Sequence, residues 1–279
     1  MLRAPNILAF LMLALTVNAA TPAGSAQTTG ADLKKLQAVV NGSQRTAEQK
    51  ARDPYRHPVE TLAFFGIKPN MTVVELWPFG GWYTAILAPY VKGNGKFYAA
   101  AMDPASTDAN DKKYNAQLKE LLDAHPDLYS EVKWSVLAPG KFEIAPDGTA
   151  DMVLTFRNIH NWAWQGMEKD VFAAAFRALK PGGILGVVEH RNNDANFDPK
   201  TQRGMAYVGE NYAKKLIESV GFQYAGSSDV NRNPKDTKDY PKGVWTLPPF
   251  YADGDKDRAK YAAIGESDRF TMKFVKPAK

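Results

Sequence analysis

Asn158, His160 and Asn161 follow directly on a strongly apolar run, Ala150 to Phe156, and this is where the sequence first suggests chemistry. Histidine changes charge near neutral pH, so it can take a proton from a substrate atom while flanking amides orient that substrate. His190 follows a second apolar run, Ile184 to Glu189, and His57 sits in an Arg-His-Pro stretch that could fold over a crevice as a lid. The same residues could instead fasten loops at strand ends, because titratable groups also serve structure. His160, Glu189 and His190 have the ligand types of a metal triad. Neighbouring strand residues point to opposite faces, so only one of Glu189 and His190 is expected to face a site, and no metal is assigned.

A second group of residues suits a nucleoside ligand. Glu75 closes an apolar run and leads into Trp77-Pro78-Phe79-Gly80-Gly81-Trp82, a glycine-containing turn ahead of a helical stretch. Such a turn lets a ligand approach the backbone, and the following helix offers free N–H groups. Asp103 closes the next apolar run, Lys96 to Met102. Trp77, Trp82, Tyr83, Trp162 and Trp164 lie near these positions. They could stack on an aromatic substrate or attract a cationic centre, or serve as core and rim packing.

Strands and helices must alternate to place these residues together. Met71–Leu76, Lys96–Met102, Val132–Val136, Ala150–Phe156, Ile184–Glu189, Phe222–Ala225 and Phe270–Val275 read as strands. Helices are expected at Val59–Phe65, Tyr83–Val91, Asp111–Ala124, Lys169–Leu179 and Tyr207–Val220. Central strands that are apolar throughout are buried on both faces, which predicts an α/β, doubly wound, mostly parallel sheet. Ligands of such a sheet bind beyond the carboxyl ends of its strands, where all the candidate residues fall. Asp32–Val40 and Thr46–Arg52 read as short helices, ended by the prolines of Asp53 to Pro58. The insertion from Asn231 to Asp268 is too long for an idle loop and is expected to cover the site or a partner surface.

The chain of 279 residues is 44% hydrophobic and 23% charged, a globular balance, and its net charge of +5 is spread along its length. No basic-aromatic pattern supports nucleic-acid binding. The absence of cysteine excludes disulfides, thiolate metal sites and a thiol nucleophile. Arg3, the 11-residue apolar run Ile7 to Val17 and the small residues after it have the layout of a secretory signal peptide. The expected organisation is a signal peptide and linker over 1–26, cleaved after 19 or 26, a helical extension over 27–58, and one α/β domain over 59–279. The mature protein is expected to be periplasmic or secreted, with no membrane anchor.

From Val59 to Val275 the sequence resembles class I S-adenosylmethionine-dependent methyltransferases. Glu75 to Trp82 stands where the family carries its acidic, glycine-rich first motif, and Asp103 where its acidic residue holds the cofactor's ribose. Asp151 to Phe156 and Leu179-Lys-Pro-Gly-Gly-Ile-Leu resemble its fourth-strand and helix-turn-strand signatures. Arg56-His57-Pro58, Asn158 to Trp162, Val244 to Pro249 and Gly265 to Arg269 make it similar to an exported bacterial subgroup. The resemblance implies a Rossmann-like fold and S-adenosylmethionine as cofactor, bound by Glu75, Gly80, Gly81 and Asp103. It implies methyl transfer to a small-molecule substrate, with His160, Asn158 and Asn161 nearest the chemistry. Trp77 and Phe79 depart from the pattern, standing where the first two motif glycines belong. That departure and the export signal leave a second reading open, a non-catalytic envelope binding protein that kept the fold and lost the cofactor.

Overall fold

The computed structural model describes residues 28–278, so the signal-peptide reading of 1–26 lies outside the described residues. Eight strands form a single sheet: β1 Thr72–Leu76, β2 Lys96–Ala101, β3 Lys133–Ala138, β4 Lys141–Glu143, β5 Ala150–Phe156, β6 Leu179–His190, β7 Gln223–Ser228 and β8 Arg269–Val275. Their order is β4-β3-β2-β1-β5-β6-β8-β7. Pairing is parallel from β3 through β6 and antiparallel at both edges, where β4 pairs with β3 and β8 with β6 and β7. The mostly parallel, doubly wound sheet expected from the sequence is thus present. The order reverses at β1, which lies between β2 and β5, and a crevice opens there at the strand ends.

Strand alternation divides the core. Val74, Leu76, Val153, Leu185 and Phe274 pack on one face against Val171, Phe172 and Ile217 of the helices Glu168–Ala178 and Glu210–Glu218. Val73, Phe97, Met152, Leu154 and Val188 face the other way, onto Leu36, Leu62, Phe65, Ile86 and Tyr90 of the helices Gly30–Val40, Pro58–Phe65 and Thr84–Val91. Each central strand therefore buries both faces, which is why it carries an uninterrupted apolar run.

Three local expectations are corrected. Asp53–Arg56 forms a helical turn, and Pro58 opens the next helix; both prolines occupy first-turn positions, where a missing N–H costs nothing. A further helix, Ile159–Gln165, follows β5 and ends at Gly166 with a left-handed φ of 70°. It is short and buries most of its circumference, so it shows no amphipathic period to read. The helix expected from Tyr207 begins at Glu210. Among the described residues no helix is long and apolar enough to cross a membrane.

Candidate active site

A cavity of about 850 Å³ opens over the carboxyl ends of β1, β2, β3, β5 and β6. One end is formed by Gly80, Met102, Asp103, Leu137 and Ala138. The other is formed by Arg56, Arg157, His160, His190 and, from the long insertion, Trp245 and Glu266. The insertion does cover the site. His57 does not reach it: the lid position falls to Arg52 and Arg56, while His57 takes the left-handed link between two helices.

His160 sits in the first turn of Ile159–Gln165, its side chain 1% exposed. Its Nδ1 lies 3.1 Å from Glu189 Oε1. The same oxygen accepts the backbone N–H of His190 at 2.8 Å, and Oε2 accepts that of Ile159 at 2.6 Å. Glu189 is therefore an acceptor on every side, which assigns the imidazole proton to His160 Nδ1. His160 Nε2 is left with its lone pair, enclosed and without a hydrogen-bond partner. A carboxylate that fixes the tautomer and supports the imidazolium is the arrangement of a histidine general base. Trp164 packs against the ring at 5.1 Å between centroids.

The structure overturns the expectation that Glu189 and His190 diverge. Ligand atoms of His160, Glu189 and His190 all lie within 4.8 Å of one another. The Cβ directions alternate, but Glu189 folds back over the strand end to its neighbour's N–H. Three N–H donors already occupy its oxygens, and Arg56, Arg157 and Arg269 surround the group, so it suits a base better than a dication. Burial, then His160, then these arginines hold His190 well below its usual value, keeping it neutral, and its Nδ1 meets Ser267 Oγ at 2.6 Å.

The two asparagines divide. Asn161 lines the cavity. Asn158 is buried beneath it, its amide donating to Leu76 O at 2.9 Å and Thr155 Oγ1 at 3.2 Å, so it ties the end of β1 to that of β5. The proposed cofactor residues divide as well. Gly80 and Asp103 lie on the cavity wall, whereas Glu75 and Gly81 lie behind it. Gly81 has φ 78°, a left-handed backbone that favours glycine, and a Cβ there would press on the Leu121 side chain. Glu75 accepts the Thr84 hydroxyl at 2.6 Å, and burial pushes it up to about 7 despite Thr84 and Arg157.

Trp77 and Phe79 have φ of 46° and 50°, the left-handed backbone that glycine takes freely. Each costs roughly 1–2 kcal/mol in that region. Packing offsets the strain: Trp77 is 6% exposed and its Nε1 donates to Leu137 O at 2.7 Å. Phe79 packs its ring against Tyr114, 4.7 Å between centroids, and both residues line the cavity. The turn thus takes a left-handed backbone at two positions without glycine.

No protein-family model and no curated protein matches the sequence. Solved structures do match the fold. A SAM-dependent methyltransferase from Aquifex aeolicus superposes with a TM-score of 0.54 at 16% identity, covering 88% of this chain and 98% of its own. A second, from Methanosarcina mazei, gives 0.51 at 12%, covering 76% and 95%. The cyclase SpnF gives 0.58 at 16%, covering 89% and 94%. The chain has the methyltransferase fold. That one of these neighbours is a cyclase shows how little the fold alone fixes the reaction. Within the fold, sequence reasoning missed Arg52, Arg56, Arg157 and Glu266 on the cavity wall and treated Glu189 only as a metal ligand. Arg56 and Glu266 do lie in the strings that resemble the exported subgroup; their meeting is tertiary.

Proposed function

We propose that the protein binds S-adenosylmethionine at the Gly80–Asp103 end of the cavity and methylates a small molecule held against His160. The observation that carries this reading is the enclosed, unpartnered Nε2 of His160, on the wall of the same cavity as Asp103. The residues present fit the cofactor. Asp103 stands at the end of β2 for the ribose hydroxyls, and Leu137 and Ala138 offer an apolar surface to the adenine. A Cβ at Gly80 would meet nothing nearer than the end of Gln117, at 3.3 Å, so its backbone is open to a ligand. Bound there, the cofactor supplies an electrophilic methyl group.

His160 Nε2 would take the proton of an acceptor presented to that methyl group. Glu189 stabilises the resulting imidazolium through Nδ1, and Asn161 orients the acceptor. Trp245, whose ring is 6.3 Å from that of His160, helps exclude water.

One observation favours the second reading, a binding protein without cofactor: Asp103 is already paired with Lys141 at 2.6 Å. The Lys141 hydrogen bond and the Ala105 N–H hold its carboxyl below the usual range. Calorimetric titration with S-adenosylhomocysteine separates the two. Methyl transfer requires binding, and Asp103→Ala should weaken it at least tenfold by removing charge-assisted hydrogen bonds to the ribose. A wild-type protein with no heat at millimolar ligand would refute the methyl-transfer reading.

We also propose that the protein is exported, on the strength of the apolar run Ile7 to Val17. Intact mass of the protein from its host should show a chain beginning at Ala20 or Gln27; retention of residues 1–19 would refute export by cleavage.

A further inference from the structure

The His160 end of the cavity holds more positive charge than it neutralises. Glu266 receives Arg52 Nε at 2.5 Å, Arg56 Nε at 3.2 Å and Arg269 Nη2 at 3.0 Å, so one carboxylate is shared by three guanidiniums. A fourth, Arg157, has no acidic partner within 4.0 Å among the described residues. Its Nη1 is enclosed and makes no hydrogen bond, although the residue lines the cavity. Arg157 sits at the end of β5 with φ 64°, a left-handed conformation uncommon for a long side chain. Arg56 lines the same wall, fixed by Glu266 and by Trp82, whose ring lies 4.5 Å from its guanidinium carbon.

A desolvated guanidinium without a partner is costly, and a cavity edged by such groups favours an anion. Burial and the nearby Arg269 bring Arg157 down to about 10, which still leaves it charged at neutral pH. The acid that acts on Arg157 from a distance is Glu266, already shared by three arginines, and Glu75 behind the wall is only partly ionised near pH 7 and already accepts Thr84. The remaining walls here are Trp82, Phe156, Trp245 and Phe250, suited to a flat apolar body.

We propose that the methyl acceptor is an aromatic carboxylate bearing a ring hydroxyl, its carboxylate seated on Arg157 beside Arg56 and its ring held by the aromatic wall, so that the hydroxyl oxygen would receive the methyl group and give its proton to His160 Nε2. The planar fork of arginine matches a carboxylate's two oxygens. The ligand's role as methyl acceptor rests on the methyl-transfer reading; the anion seat does not.

Cofactor-free protein titrated with benzoate and with its neutral isostere benzamide, read by tryptophan fluorescence, tests the seat directly. Benzoate should bind at least tenfold more tightly, and Arg157→Gln should reduce it to the level of benzamide. Equal binding of the two by the wild type, or an undiminished preference in a folded R157Q protein, overturns the proposal. The wild-type comparison stands even if R157Q fails to fold. A parallel arm uses S-adenosylhomocysteine and 5′-methylthioadenosine, which lacks the amino-acid carboxylate. If R157Q weakens the first tenfold, spares the second and leaves benzoate unchanged, the seat serves the cofactor and the proposal fails. If S-adenosylhomocysteine does not bind while the benzoate preference persists, the methyl-transfer reading falls and the anion seat remains.

Discussion

Glu266→Gln should destabilise the protein by about 3–5 kcal/mol at neutral pH, the cost of removing one partner from a buried ionic cluster. Glutamine keeps the shape and removes the charge. Arg56 and Arg269, with side chains 4% and 2% exposed, would then face each other and Arg157 with no carboxylate in ion-pair contact. Arg52, at 27%, can turn to water and relieves part of the repulsion. Burial alone would raise the Glu266 pKa, but Arg56, Arg269 and Arg52 overcome it and hold the group well below the usual carboxylate range. A depressed folded pKa contributes stability that is complete above the unfolded value, 4.5, and is lost as pH falls below it. The gap between wild type and E266Q in urea midpoints, at unchanged slope, should therefore be full at neutral pH and narrow in acid. A gap below about 1 kcal/mol, the range of an exposed ion pair, or one that does not change on acidification, would show that the cluster is not held by this charge.

The same cluster marks where sequence reading stops. The strands were legible because β1, β5 and β6 bury both faces, and that demand is written locally as apolar runs ending at Leu76, Phe156 and near His190. Gly66 shows the complementary local signal, a left-handed residue closing a helix. The place of His160 on the cavity wall was legible because it follows such a strand. Its partner was not, since strict strand alternation sends Glu189 away from His190 and says nothing of a side chain curling over a strand end. Arg52 and Glu266 meet across 214 positions, and no local pattern carries that pairing. Asn158 was legible as important and misread in role: it fastens the switch point of the sheet. Trp77 and Phe79 pose the opposite difficulty. Their residue types argue against the glycine turn, while their backbone adopts it, because tertiary packing outweighs the local conformational penalty.

Glu75→Gln should remove a pH dependence of about 3 kcal/mol from the stability of the protein. Glu75, next to last in β1, is 3% exposed, with the Thr84 hydroxyl as its hydrogen-bond donor. Burial raises its pKa from 4.5 to about 7, more than Thr84 and Arg157 lower it. A raised folded pKa means that the native state holds this proton more tightly than the unfolded chain does. Its contribution is then complete below 4.5, falls as pH rises through about 7, and is absent above that. Between those two values the loss is about 1.4 kcal/mol for each pH unit. Glutamine cannot ionise, and its carbonyl oxygen still accepts from Thr84, so E75Q should keep its stability across the interval in which the wild type loses it. Wild-type and E75Q urea midpoints should lie closest in mild acid and separate towards pH 8, with E75Q the more stable. Glu266 works in the opposite direction and below 4.5, so the two carboxylates are resolved by pH as well as by mutation. Parallel curves between pH 5 and pH 8 would mean that Glu75 ionises as readily in the native state as in the unfolded one. The acid behind the turn would then be a standing negative charge at neutral pH, and the cavity end beside Arg157 would be less positive than the anion seat assumes.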